Sequence, residues 1–492
     1  MKTSSWLSRS VSILKRDSEP KRPPALDGIG VSAPVVDASV PPKRRGIRDR
    51  LAAQLKQADE ALSPRMLRRT LAELRAVINP QVSEVEGGRR ALALAGWYAK
   101  ASPAQRHDAW LLMSEMFVSD PEVVKRAQAQ YAAAVGTPDE AAAEVLFRRA
   151  TVSPRRRLLQ RFSAAPRGVP FLVALRAEML PHLKGDKRLR ALDVEMEYMF
   201  STWFDVGFLD LRPINWDSPA SLLEKLIRYE AVHDIRSWAD LKNRLDSDRR
   251  CYAFFHPRLP DEPLIFVEVA LIDHLADSIT PLLDESAAAE DLGRATTAIF
   301  YSISNTQTGL RGVSFGDSLI KRVVETLKQE FPRLKTFATL SPIPGLRPWL
   351  TREAAAAWGV LPAAQQTALA HALGTPTTPE AAVPAALAAL EGKSSDASLA
   401  AVKPWCLALA ARYLVKEMNQ GEPLDPVARF HLGNGARVER INWAADPSPR
   451  GMKQSFGLMV NYLYDLDKLD DNRTQLAQGR VPASRAVKGL MG

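Results

Sequence analysis

The chain has 492 residues, 46% apolar and 25% charged, which is the make-up of an ordinary soluble globular protein with room for two or three domains. Of its formal charge of +10, the first 50 residues carry +6 (eleven Lys and Arg against five Asp and Glu), leaving +4 on the other 442, which argues against a nucleic-acid binder. No apolar run approaches the roughly 20 residues needed to cross a bilayer, and two cysteines, Cys251 and Cys406, exclude a disulfide framework or a cysteine metal cluster and fit a reducing compartment.

Residues 1–50 read as a basic disordered arm, because "KRPPALDGIGVSAPVVDASVPPKRR" cannot bury enough apolar surface to fold alone. Its first sixteen residues are basic, Ser-rich and free of acids. They read either as a plain tail on a cytoplasmic protein, which the Ala-rich composition favours, or as a mitochondrial transit peptide. From 51 to 204 the pattern is helical. Leu67, Leu71, Leu74 and Ile78 fall at helical spacing behind Ser63 and Pro64, a cap and a first-turn residue. Further helices are predicted over 89–117, 121–135, 138–150, 154–163, 168–183 and 188–205. This half lacks a glycine-rich phosphate loop and a repeat of fixed period; its expected job is packing, oligomer contacts or a lid.

From 205 to 470 short aromatic and β-branched runs alternate with turn formers: "CYAFFHP", "PLIFVEVALI", "TAIFYSIS", "LKTFATLS", "ARVERINW" and "GLMVNYLY". Helices are predicted near 218–229 and 317–331, and an Ala-rich helical segment over 352–418. The reading is one α+β domain with a helical insertion before its last strands, followed by a tail over 471–492.

Three stretches carry candidate chemistry. In "YSISNTQTGLRGVSFGDSLIKRVV" a strand passes through Gly309, Gly312 and Gly316 into an amphipathic helix. Glycines there allow close backbone approach, and a helix N-terminus favours a pyrophosphate, with Arg311 and Lys321 adding charge. A plain strand-to-helix connection explains the glycines equally well. In "TLSPIPGLRPWL" a rigid turn can present the Ser341 hydroxyl, although a serine before proline is commonly only a turn residue. In "FHLGNGARVERINWAADPSPRGMKQSFGLMVNYLY", strand-like segments interleave core residues with His431, Asn434, Arg440, Asn442, Asp446, Ser448, Ser455, Asn461 and Tyr464. His431 suits acid–base work near neutral pH, or is structural. The other six histidines lack metal-ligand spacing.

These motifs, in this order, resemble the malonyl-CoA decarboxylase family over roughly 205–465, and the helical half matches the family's layout. The resemblance implies a helical domain followed by a catalytic domain of the acetyltransferase (GNAT) fold, in which the loop 311–317 (Arg311, Gly312, Val313, Ser314, Phe315, Gly316, Asp317) receives the pyrophosphate of coenzyme A. It implies that Ser341 is the catalytic serine, His431 the proton donor, and Tyr464 a site residue near it, with Asn434 orienting the histidine or completing the donor set. Ser314 stands where relatives can carry an acid. The resemblance further implies malonyl-CoA and acetyl-CoA as ligands, a homo-oligomer (dimer or tetramer), and no metal, biotin or pyridoxal cofactor. Neither a nucleic-acid nor a membrane partner is expected. The competing readings are an acyltransferase of the same fold and a non-catalytic helical scaffold.

Overall fold

The computed structural model describes Ile47 and residues 62–313, 319–359, 361–392 and 395–491. The chain divides into two units, residues 1–50 and residues 51–492. The expected basic arm belongs to the first and, apart from Ile47, lies outside the described residues.

The second unit opens, among the described residues, with eight α-helices: α1 (Pro64–Val77), α2 (Glu84–Lys100), α3 (Pro103–Glu115), α4 (Pro121–Ala134), α5 (Glu140–Thr151), α6 (Pro154–Ala164), α7 (Gly168–Met179) and α8 (Arg190–Trp203). Local chemistry sets their starts. Ser63, Ser83, Ser102 and Asp120 accept hydrogen bonds from first-turn N–H groups, and Pro64, Pro103, Pro121 and Pro154 occupy first turns, where a missing N–H has no consequence. The predicted helix over 89–117 is two helices. Ser102 and Gln105 form a reciprocal cap that starts α3 anew, and Pro103 disfavours helical backbone at the residue before it.

The sheet half follows: β1 (Asp210–Ile214), α9 (Ala220–Tyr229), α10 (Trp238–Arg244), β2 (Arg249–Phe255), β3 (Ile265–Ile272), α11 (Thr280–Leu283), β4 (Thr297–Asn305), α12 (Leu319–Glu330), β5 (Thr336–Thr339) and β6 (Ser341–Pro342). Then come α13 (Leu346–Trp358), α14 (Ala363–Leu373), α15 (Pro379–Leu390), α16 (Asp396–Val415), the small hairpin β7 (Met418–Asn419) and β8 (Glu422–Pro423), α17 (Pro426–Gly433), β9 (Arg437–Asn442), α18 (Pro449–Ser455), β10 (Met459–Leu463), α19 (Leu469–Ala477) and α20 (Arg485–Gly489). The main sheet has eight strands in the order β1-β2-β3-β4-β5-β10-β6, with β9 also paired to β10. Strand β1 is unannounced in the sequence because Pro213 argues against a strand; as an edge strand it tolerates the missing donor.

Two features of this sheet position the site. Strands β1 to β4 are antiparallel, whereas β5 runs parallel to β4 and pairs with it only over Thr297–Phe300. Beyond Phe300 the two strands part, and a bulge that leaves Tyr301 outside the β3–β4 register sits at the same point. This is the mixed, GNAT-like arrangement that the sequence resemblance implies. Second, β10 runs antiparallel along β5 and β6 in one register, pairing Leu463 with Ala338 of β5 and Val460 with Ser341 of β6. The helical insertion, α13 to α16, lies between β6 and β7. Among the described residues one helical span, Asp396–Lys416, is long and apolar enough to cross a membrane by length and composition, contrary to the sequence reading. Its Trp405, Cys406, Leu409 and Leu414 are buried within the protein.

Candidate active site

The connection after β4 is built partly by the helical half. A Cβ added to Gly309 would stand 1.9 Å from the Val173 carbonyl oxygen of α7, so this glycine permits close packing on a helix rather than approach to a ligand. From the same helix the Arg176 guanidinium, 1% exposed, donates to the carbonyls of Gly309 (2.9 Å) and Arg311 (2.8 Å). Asp193 and Glu197 of α8 hold that guanidinium at 2.8 and 3.0 Å. Gly312 has φ +83°, where only glycine is at ease, and a Cβ there would meet the Glu197 carboxylate at 3.3 Å. Beside this loop opens a cleft of about 460 Å³ whose walls include Asn305, Arg311, Gly312, Val313, Phe430 and Asn434. Ser314, Phe315, Gly316 and Asp317 lie outside the described residues.

At the far side of the split, His431 sits on α17, not on a strand as the sequence pattern suggests. Asp425 caps this helix by accepting from the Val427 and Ala428 N–H groups, and Pro426 occupies its first turn. Gly435, at φ +85° and packed on Leu469, turns the chain out of it. The imidazole Nε2 lies 3.2 Å from Ser341 Oγ, and Nδ1 lies 2.7 Å from the Tyr464 hydroxyl. One face of the ring stacks on Tyr462, centroids 4.7 Å apart. Burial lowers the imidazole pKa to about 3, so the ring is neutral at physiological pH. The Tyr464 phenol is pushed well above its usual range by burial, opposed by a hydrogen bond with Asn434.

Ser341 is fixed from the end of β5, two residues before it. Its Oγ donates to Thr339 Oγ1 at 2.8 Å, and that oxygen also accepts the Tyr462 N–H at 3.2 Å. Asn461, fully buried, donates to the carbonyls of Thr339 (2.8 Å) and Ala276 (3.0 Å). Its oxygen accepts from Asn442 (2.8 Å) and Arg440 (3.2 Å). The polar density noted in the sequence around 440–461 is thus a buttress under the strand that carries Ser341. Asp446 and Ser448 serve α18 instead: Ser448 caps that helix, and Asp446 accepts the Ser448 N–H.

The fold therefore gathers Ser341, His431 and Tyr464 into one buried cluster with the half-buried Asn434 at its edge, and Arg311, Gly312 and Val313 into the wall of a cleft that also reaches Asn434. Sequence reasoning missed Thr339 and the Arg176 support. A residue two before Ser341 on a strand shares its face, a signal that could have found Thr339. Among the described residues no group of three or more His, Cys, Asp or Glu is placed to hold a metal ion.

Known families match almost all of this region. The malonyl-CoA decarboxylase C-terminal domain matches residues 207–492, and the malonyl-CoA decarboxylase N-terminal domain matches 117–204. The mitochondrial malonyl-CoA decarboxylase of Anser anser anser is 38% identical over 351 residues, 68% of this chain and 69% of that protein. Crystal structures of malonyl-CoA decarboxylases from Rhodopseudomonas palustris and Cupriavidus metallidurans superpose with TM-scores of 0.74 and 0.70 at 42% and 45% identity. They cover 86% and 87% of this chain and 99% and 100% of their own. Motifs, sheet topology and these relatives agree, and the chain belongs to the malonyl-CoA decarboxylase family.

Proposed function

We propose that this protein is a carboxy-lyase that converts malonyl-CoA to acetyl-CoA and CO2, with Ser341 and His431 carrying the chemistry. The observation behind this reading is the buried Ser341–His431 contact, set across the sheet split from the loop after β4. Coenzyme A lies along the cleft with its pyrophosphate on the 311–317 loop. Loss of CO2 breaks the bond between the carboxylate and the α-carbon and leaves its electron pair on the thioester as an enolate. Ser341 binds the malonyl carboxylate or the thioester oxygen, and His431 protonates the α-carbon. Tyr464 orients the imidazole through Nδ1, and Asn434 acts on it through the Tyr464 hydroxyl or completes the donor set. The thioester is the electron sink, so the reaction as proposed runs without metal, biotin or pyridoxal.

The sequence assigns His431 an ordinary titration near neutrality. Burial removes that titration from the working range, so the donor in this scheme is the neutral ring rather than an imidazolium. As the ring gives its proton to the α-carbon, Nδ1 takes the Tyr464 hydroxyl proton, and one proton from water, the one the overall reaction consumes, restores Tyr464. Purified protein given malonyl-CoA alone is expected to release CO2 and acetyl-CoA without ATP, and EDTA is expected to have no effect. Activity abolished by EDTA and restored by a divalent metal overturns the scheme. An acyltransferase, which needs an acceptor, does not turn over under these conditions.

We also assign the helical half to homo-oligomer assembly, supported by exposed apolar side chains on the α4–α5 hairpin, including Val135 (56% exposed) and Leu146 (52%). A cytoplasmic location is the working assignment, with a mitochondrial address in the first sixteen residues as the alternative. A reporter fused to those residues distinguishes the two.

A further inference from the structure

We propose that Thr339 sets the tautomer of His431, acting through Ser341, and so decides which ring nitrogen holds the proton for delivery. The inference rests on the assignment of roles to Ser341 and His431 above. A serine hydroxyl has one proton. In the substrate-free site the Ser341 geometry directs that proton to Thr339 Oγ1, 2.8 Å away, which sets the ring tautomer before an arriving substrate oxygen replaces Thr339 as the acceptor. The contact of 3.2 Å between Ser341 Oγ and Nε2 then has no proton to offer from the serine side, so Nε2 carries the hydrogen and donates. Nδ1 of the neutral ring is consequently an acceptor, and its partner 2.7 Å away is the Tyr464 hydroxyl, whose burial keeps it protonated. The donors run in one direction, from Tyr464 through His431 and Ser341 to Thr339.

Thr339 can serve as this terminus because it is held. Its hydroxyl oxygen receives the Tyr462 N–H and its carbonyl receives Asn461 Nδ2. It is fully buried, so water does not compete for the Ser341 proton. Removing the Thr339 hydroxyl leaves Nε2 as the acceptor within reach of Ser341. The serine then donates to the ring, the hydrogen on the ring moves to Nδ1, and the nitrogen facing Ser341 has no proton to deliver. Thr339 is a positioning residue in this scheme; it does not touch the reacting atoms.

The test reads the tautomer directly. In full-length protein labelled with 15N-histidine, with His431→Asn used to assign the signal among seven histidines, the wild type is expected to show Nε2–H. Thr339→Val is expected to show Nδ1–H and turnover lower by about tenfold or more, with KM for malonyl-CoA little changed. Thr339→Ser, which keeps the hydroxyl, is expected to restore the tautomer and most of the turnover. In a Ser341→Ala background, Thr339→Val is expected to cost nothing further, because the link is already cut. An Nδ1–H signal in the wild type, an unchanged tautomer in Thr339→Val, or an equal loss in the Ser341→Ala background overturns the proposal. Should Thr339→Val fail to fold by thermal melting, the wild-type and Thr339→Ser spectra decide. Normal turnover in Ser341→Ala, with the tautomer shift intact, refutes the assigned role of Ser341 and leaves the Thr339 linkage standing.

Discussion

At the scale of single residues, burial converts ordinary side chains into a specialised pair. Ser341 is 6% and His431 4% exposed, so neither competes with bulk water for its partner. Ser341→Ala and His431→Asn are each expected to cut turnover by about a hundredfold or more, the usual cost of losing a donor or acid aimed at the transition state. Coenzyme A affinity by calorimetry should change little, and the double variant should be barely slower than the worse single one. Burial of His431 also has a stability consequence. Its folded pKa of about 3 lies below the ordinary 6.5, so between those values the unfolded chain binds a proton that the folded chain refuses. This contribution is complete above about pH 6.5 and is lost as pH falls toward 3. His233, lowered to about 4 by burial, acts in the same direction. The melting temperature is expected to fall from pH 7 to pH 4.5, and less steeply in His431→Gln; equal slopes overturn the assignment.

At the scale of elements, the loop after β4 depends on a helix more than a hundred residues earlier. Gly309 lets that loop rest on α7, and Arg176 fastens it with two hydrogen bonds. Gly309→Ala pushes a methyl group into the Val173 carbonyl. Relieving the clash must move loop backbone, and the expected cost is about 1–3 kcal/mol in unfolding free energy, in the range of overpacked sites. Coenzyme A affinity should weaken in the same variant, because the 311–317 loop shifts with it. Calorimetry finding normal affinity in a folded but destabilised Gly309→Ala protein separates the loop from the ligand. Helix α17 shows where local signals suffice: Asp425 and Pro426 mark its start and Gly435 its end, although a strand-like reading of 430–464 overlooks them. Helix α7 shows where they do not, since nothing adjacent to Arg176 in the chain announces Gly309 and Arg311 as its partners.

At the scale of the whole molecule, the helical half presents apolar side chains that its own fold leaves uncovered. On α2, α5 and α8 these include Val85, Val145, Leu146 and Tyr198. Light scattering is expected to give a mass at a multiple of 54.2 kDa, either two or four, and the substitution of Val145 and Leu146 by glutamate is expected to lower it. A monomer at micromolar concentration removes the assembly claim. Deleting residues 1–45 should leave assembly and turnover nearly intact, because that arm has no core pattern.

The sequence by itself determined what depends on neighbours in the chain. Helical spacing, serine and aspartate caps, first-turn prolines and strand alternation each need only a few consecutive residues, and most of the elements follow from them. The Ser341 and His431 motifs are local in the same sense, and with them the expected chemistry was legible. Tertiary structure decided what depends on distance through space. Ser341 and His431 are separated by 90 positions and meet where α17 lays the His431 ring on Tyr462 of β10 and against Ser341 of β6, contacts that periodicity does not encode. The imidazole is neutral because the assembled protein excludes water from it, and burial is a property of the whole fold. Thr339 receives the serine proton because β5 and β6 follow one another along the sheet with Asn461 beneath them. These are consequences of sheet order and packing.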